Sequence, residues 1–131
     1  MSVTLPEEVR QVIDDRTFAH LATLDGTGGP HVTAMWITRD ADLIVFNTLE
    51  GRAKWRHMQR DPRVAISLSP PGDDYLNFLI KGRVIEMRTS DGTEVINSLA
   101  HKYIGRDYPR LGPGDVRVTV IVEPISITRN P

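Results

Sequence analysis

The chain has 131 residues, a formal net charge of −1, 40% hydrophobic residues and no cysteine. This length fits one domain over residues 1–131, and the missing cysteines exclude disulfides, thiolate metal sites and cysteine nucleophiles. A dedicated nucleic-acid binder would be basic overall, so we expect a local anion site and no nucleic-acid partner. No apolar run reaches the ~20 residues of a membrane helix and the first ten residues are no signal peptide, so we expect a cytoplasmic protein.

The N-terminal third of the chain predicts a short helix followed by three strands. Thr4 and Glu7 have the spacing of a capping box, and apolar residues then recur at helical intervals as far as Ile13. The hydrophobic period changes to two over residues 17–24, which indicates a strand. Two further strands are predicted, over residues 30–38 and 43–48.

The rest of the chain predicts two helices and three strands. Gly82 lies inside the longest strand and predicts a bulge or bend, which a small barrel needs at its corners. Pro124 is expected to break the last strand, with a short segment over residues 125–128 after it. The predicted helices cover residues 51–60 and 90–104, and the predicted strands cover residues 63–69, 75–87 and 116–123.

These elements together predict the fold class. Six or seven mostly antiparallel strands accompany three short helices, without the alternation of strand and helix that marks a parallel sheet. This pattern predicts a mainly β protein with a closed or partly closed barrel.

The segment NTLEGRAKWR, residues 47–56, is the most informative one for function. A strand ends in Asn47 and Thr48, and after a glycine a helix begins whose first turn carries Arg52 and Lys54. A helix start offers unpaired N–H groups and a partial positive charge, so cations and hydroxyls beside it predict a phosphate site. The alternative is a solvated basic face, because arginines recur every four residues along this helix.

Two further groups of residues could contact a ring-shaped ligand. The Thr33 hydroxyl and the backbone after it can hydrogen-bond a heteroaromatic ring, and Met35 and Trp36 offer apolar contact. The alternative is that these two are plain core or interface residues. Tyr75 could stack on a ligand or close a pocket edge, or it could be an exposed hairpin residue.

Recognised metal and nucleotide motifs are absent from the sequence. No two of the four histidines stand four residues apart, and HExxH does not occur. The sequence also lacks GxSxG, a P-loop and GxGxxG. We therefore expect no metal site.

The order of segments resembles the pyridoxamine 5′-phosphate oxidase-like split-barrel superfamily. The resemblance lies in G-P-H-V-T-A-M-W-I at 29–37, L-I-V-F-N-T at 43–48 and G-R-A-K-W-R-H-M-Q-R-D-P-R-V-A at 51–65. The short length and H-K-Y-I-G-R-D-Y-P at 101–109 are similar to its F420-dependent branch, the F420H2-dependent reductase B group. The resemblance implies a split β-barrel of the FMN-binding type and a homodimer with two cofactor sites at the subunit interface.

The resemblance also implies roles for individual residues. Arg52 and Lys54, with Ala53 between them, would hold the cofactor phosphate, and Asn47 and Thr48 would flank the ribityl chain and phosphate. The residues implied to line the ring are Thr33, Ala34, Met35 and Trp36, and those implied to come from the partner subunit are Tyr75 and Asn77. His31 would lie near the ring with an open role. The arginine-leucine-x-proline end of true pyridoxamine phosphate oxidases is missing, so vitamin B6 oxidation is not expected.

The functional expectation is an F420-dependent oxidoreductase that transfers a hydride from reduced deazaflavin to a small unsaturated or quinone-like substrate. No residue is assigned as catalytic, since solvent or His31 could supply a proton. One alternative is an FMN-binding oxidoreductase of the same fold. Another is a non-catalytic protein that binds or carries a cofactor. A nucleic-acid binder that uses the arginines of the second helix is the weakest reading.

Overall fold

The computed structural model describes residues 2–130, which form seven strands and three helices. All strand pairs in the sheet are antiparallel. The elements are α1 (Glu7–Asp14), β1 (Phe18–Leu24), β2 (Pro30–Trp36), β3 (Thr38–Asp40), β4 (Leu43–Leu49), α2 (Ala53–Arg60), β5 (Arg63–Leu68), β6 (Asn77–Arg88), α3 (Gly92–Ile104) and β7 (Arg117–Asn130). Within residues 2–130, no helix combines the length and apolarity that crossing a membrane requires.

The connection between β2 and β3 forces the sheet to curl. The strand order is β2-β1-β5-β6-β7-β4-β3, so β2 and β3 lie at opposite edges. In a flat sheet six spacings of about 4.8 Å would separate these edges by roughly 29 Å. Only Ile37 stands between the two strands, and one residue spans only about 3.5 Å. The edges therefore meet, which confirms the predicted mainly β split barrel.

The hydrophobic core fills the inside of the curled sheet. Alternate side chains of the strands point inward and are fully buried, as at Leu21, Phe46 and Ile80. Helix α1 covers one end of the barrel through Val9 and Ile13. Burying each large apolar side chain contributes about 1.5–3 kcal/mol, so this core is a main source of the stability of the barrel.

Three predictions about local structure were wrong in instructive ways. The predicted strand over residues 30–38 is two strands, because the chain bends at Ile37. Pro124 does not end β7: a register shift leaves Ile125 as an extra residue opposite β6, and a bulge tolerates a residue without an N–H. Thr4 does not cap α1, since Pro6 holds the N-cap position and no side chain caps the helix. The predicted irregularity at Gly82 is confirmed by the same register shift.

Candidate functional site

A cavity of about 250 Å³ opens where β2, the end of β4 and the start of α2 meet. Seven of the residues predicted for the cofactor site line it: Ala34, Met35, Trp36, Asn47, Thr48, Arg52 and Lys54. Six further residues complete the lining: Phe18, Leu49, Ile96, Leu99, Tyr108 and Arg117. The cavity is smaller than the roughly 300–1,000 Å³ of typical ligand sites, so a tricyclic ligand would extend beyond it.

The remaining predicted residues lie around or away from this cavity. Thr33 stands beside it, since its Oγ1 lies 3.4 Å from the Lys54 Nζ that donates to it. Ala53 is the first residue of α2 and is half-buried without lining the cavity. Asn77 lines a separate polar cavity, where its Nδ2 donates to Ser67 Oγ at 2.7 Å. Tyr75 precedes β6 and is 90% exposed. The chain thus brings the residues predicted to bind the phosphate and most of those predicted to line the ring to one cavity, but not Tyr75 and Asn77.

The turn from β4 into α2 places two cations at a helix start. Gly51 has a φ of +96°, a left-handed conformation that favours glycine, and this turns the chain directly from the strand into the helix. Arg52 occupies the N-cap position, no side chain caps the helix, and its first turn contains no acidic residue. Arg52 and Lys54 both line the cavity, and the start of α2 beside them has neither a side-chain cap nor an acidic residue in its first turn.

Lys54 is a cation of the cavity whose charge its surroundings disfavour. Its side chain is half-buried, and burial lowers its pKa, with the neighbouring charges of Arg52 and Arg117 acting in the same direction. The cavity lining contains no aspartate or glutamate, and none of the ion pairs within residues 2–130 involves these three cations. A bound anion would relieve this repulsion, so the cavity is chemically suited to an anionic ligand.

Thr48 adds an unpartnered hydroxyl to the same wall. The residue is only 2% exposed, and its Oγ1 is buried without a hydrogen-bond partner among the described residues. An unsatisfied buried hydroxyl costs about 1–3 kcal/mol. Because Thr48 lines the cavity, a ligand oxygen would satisfy this group.

Asn47 lies beside Thr48 but uses its amide within the protein. Its Nδ2 donates to the Gly92 carbonyl at 2.9 Å, and its Oδ1 accepts from Arg117 Nε at 2.9 Å. These contacts join the end of β4 to the start of α3 and the start of β7. Asn47 thus connects three elements around the cavity.

Two aromatic side chains in the lining of the cavity, Trp36 and Tyr108, are tightly held. Trp36 stacks on Tyr103 with ring centroids 5.2 Å apart and an interplanar angle of 10°. Its ring also meets the Tyr108 ring edge-on at 6.0 Å. Tyr108 is fixed in turn, since its backbone N–H donates to Asn97 Oδ1 at 2.8 Å. Packing of this kind gives the cavity a preformed flat apolar side.

His31 lies away from the residues that line the cavity. Its ring meets the His57 ring edge-on, with centroids 5.1 Å apart, and its Nδ1 is buried without a partner among the described residues. His57 Nδ1 and Thr23 Oγ1 are 2.8 Å apart. This arrangement packs α2 against β2 and does not bring the imidazole of His31 to the cavity wall.

Comparison with known proteins identifies the family. Residues 5–123 match the family described as pyridoxamine 5′-phosphate oxidase. The chain belongs to this family. No protein with a curated description matches it.

Several solved structures are similar to this chain in fold. One described as an F420 reductase has a TM-score of 0.85 and 26% identity, and the match covers 95% of this chain and 98% of that one. A conserved hypothetical protein of Mycobacterium tuberculosis has a TM-score of 0.77 and 22% identity, with 98% and 86% covered. The general stress protein 26 of Bacillus anthracis, at 16% identity and a TM-score of 0.71, shows the same fold over 95% and 92% of the two chains.

The sequence did not predict the part of the cavity to which α3, β7 and the loop between them contribute. Strand alternation separates Arg117 from the inward valines of β7, but only its pairing with Leu49 brings it next to the start of α2. Tyr108 stands in a loop rich in proline and glycine, and nothing local indicates that it faces Trp36. These contacts join residues about 70 positions apart, so local pattern carries no signal for them.

Proposed function

We propose that this protein is an F420-dependent oxidoreductase that transfers a hydride from reduced deazaflavin to a small unsaturated or quinone-like substrate. The observation that carries the proposal is a cavity lined by three cations without ion-pair partners among the described residues, by a buried hydroxyl without a partner among them, and by fixed aromatic side chains. The family and the likeness to an F420 reductase support it.

The residues of the cavity fit a phosphorylated ring cofactor. Arg52, Lys54 and the first amides of α2 would hold the phosphate, with Thr48 Oγ1 as a further donor. The hydroxyl of Thr33 and the backbone of β2 from Ala34 onward would hydrogen-bond the ring. When bound, the deazaflavin supplies the hydride. The protein's part is to orient the ring, and Trp36 and Met35 exclude water from its buried side.

We also propose that two copies of the chain form the complete site. The outer face of β1 and β2 exposes large apolar side chains, including Phe18 at 59% and Val32 at 61%. Burial of this face against a second copy would bring other surface residues of the partner to the open side of the cavity. Tyr75, whose side chain is almost wholly exposed, and Asn77 are the residues that we assign to this role.

The number of cations at the cavity also fits FMN, which is the second candidate cofactor. Three cations surround one small cavity, and a phosphate monoester carries a charge of about −1.5 to −2 at pH 7. A non-catalytic carrier is the other alternative, because the lining contains no histidine or carboxylate that would act as a general acid.

Equilibrium titration of the purified protein tests the proposal. F420, FMN and riboflavin are compared by fluorescence under identical salt conditions, and oxidation of reduced F420 by a panel of quinones and enones is then followed anaerobically. We expect F420 to bind more tightly than FMN, riboflavin to bind at least tenfold more weakly than FMN, and F420 to be oxidised. Failure of both phosphorylated ligands to bind would refute the proposal, whereas tight binding without turnover on any acceptor would favour the carrier.

A further inference from the structure

Arg117 is a cation of the cavity that an amide side chain holds in place. We propose that Arg117 binds the anionic part of the ligand, and that Asn47 is the positioning residue that aims its guanidinium rather than a residue that contacts the ligand. This inference rests on the proposed function, because it concerns the same cavity. It changes the role that the sequence predicts for Asn47 and adds a residue that the sequence did not indicate.

The strand pairing puts Arg117 next to the proposed phosphate site. Arg117 begins β7 and pairs with Leu49, the last residue of β4. Three positions after Leu49, Arg52 occupies the N-cap position of α2. Arg117, Arg52 and Lys54 all line the one cavity, so three cations reach it from two different elements.

The guanidinium of Arg117 is fixed on several sides. Its Nε donates to Asn47 Oδ1 at 2.9 Å, and its central carbon lies 5.2 Å from the centroid of the Tyr108 ring. The backbone is fixed as well, since a side chain at Gly92 would collide with the Arg117 carbonyl. Of the five guanidinium N–H groups, Asn47 takes one, and no ion pair within the described chain takes the others. The two Nη groups are therefore free to bind a ligand in one orientation.

The chemistry of Asn47 suits a positioning role. Burial lowers the pKa of Arg117, and the charge of Arg52 acts in the same direction. Asp115 opposes this, but its carboxylate accepts from the Gly112 N–H at 2.8 Å. A carboxylate at position 47 would keep an acceptor for Arg117 Nε, but it would lose the donor to the Gly92 carbonyl and would neutralise Arg117. A neutral amide keeps the positive charge available for an anion.

The experiment measures the ratio of the dissociation constants of two ligands, one with and one without the anionic group. A purely structural defect would leave this ratio unchanged. FMN and riboflavin differ by the phosphate alone, so the ratio of their dissociation constants reports the contacts made to that phosphate. F420 and its phosphate-free deazaflavin core differ by the whole anionic tail, so the ratio within that pair reports the contacts made to the tail. General loosening of the cavity weakens both members of a pair equally. We expect Arg117→Gln to reduce the ratio at least tenfold and Asn47→Ala to reduce it three- to tenfold. Arg110→Gln, which removes an exposed arginine nearby, is the control and should leave it unchanged.

A double-mutant cycle then separates positioning from direct contact. If Asn47 acts through Arg117, adding Asn47→Ala to Arg117→Gln lowers the ratio no further; additive effects would overturn the positioning role. Asn47→Asp, which keeps the acceptor for Arg117 Nε, should bind phosphorylated ligands more weakly than Asn47→Ala does. An unchanged ratio in Arg117→Gln, with strong phosphate preference in the wild type, overturns this inference and leaves the proposed function intact. A wild type that binds neither pair overturns both.

Discussion

Replacing Lys54 by methionine tests whether the cavity is built for an anion at the expense of stability. Methionine keeps the length and apolar stem of the side chain but removes the charge that burial and two arginines disfavour. A hydrogen bond to a charged group contributes about 1.5–3 kcal/mol, and about 1.4 kcal/mol corresponds to a factor of ten. The dissociation constant of the bound cofactor should therefore rise roughly 10- to 150-fold.

The same substitution should act on the ligand-free protein in the opposite direction. The variant no longer buries an unpaired ammonium beside Arg52 and Arg117, so its free energy of unfolding should be higher than that of the wild type. At a ligand concentration 100 times its dissociation constant, binding stabilises the wild type by about 2.7 kcal/mol. At that concentration the weaker affinity of Lys54→Met leaves only about 0.3–1.4 kcal/mol.

Urea denaturation with and without cofactor measures both effects in one assay. Lys81→Met, which removes an exposed lysine from β6, is the matched control and should behave as the wild type does. If Lys54→Met is less stable than the wild type without ligand, yet gains as much from the cofactor, then Lys54 is a structural residue and the anion site is refuted.

Three other substitutions test the core, a buried lysine and the subunit interface. Phe46→Ala empties a fully buried position and should cost about 3–5 kcal/mol in urea denaturation; a loss below 1 kcal/mol contradicts the packing. Burial lowers the pKa of Lys102 to about 8, so the native state binds fewer protons than the unfolded state between pH 8 and about 10.4. The free energy of unfolding of the wild type should therefore rise more over that pH range than that of Lys102→Met. Equal rises in the two proteins would contradict the lowered pKa of Lys102. Val32→Glu, on the exposed face of β2, should yield monomers in sedimentation analysis; an unchanged mass places the interface elsewhere.

The sequence predicts those parts of the fold that depend on local pattern. The alternation at Val118, Val120 and Val122 predicts the last strand, and a glycine inside the long strand, Gly82, predicts a bulge or bend. The structure adds that a side chain at position 82 would meet Val122. Pro124 shows the limit of such rules. A proline breaks a strand only where its N–H is needed, and the bulge that removes this need depends on the register with β6.

The candidate site divides in the same way between local and distant residues. Thr48 and Lys54 are close in sequence, and the strand-to-helix turn at Gly51 places both at the cavity. The bend at Ile37 could not be predicted, because the residues around it keep the strand period. Arg117 reaches the site through its long-range pairing with Leu49, for which a single sequence carries no signal.

The position of β7 between two groups of strands has a consequence for how the protein folds during synthesis. β7 lies between β6 and β4, so without it the sheet separates into one group of four strands and one of two. During synthesis the ribosome must therefore release β7 before the two groups can join, and pairing over such long sequence separations is slow. The cavity, which takes Arg117 from β7, forms only at that stage. A nascent chain can fold its first hairpin early, but it gains affinity for a cofactor only as the last strand docks.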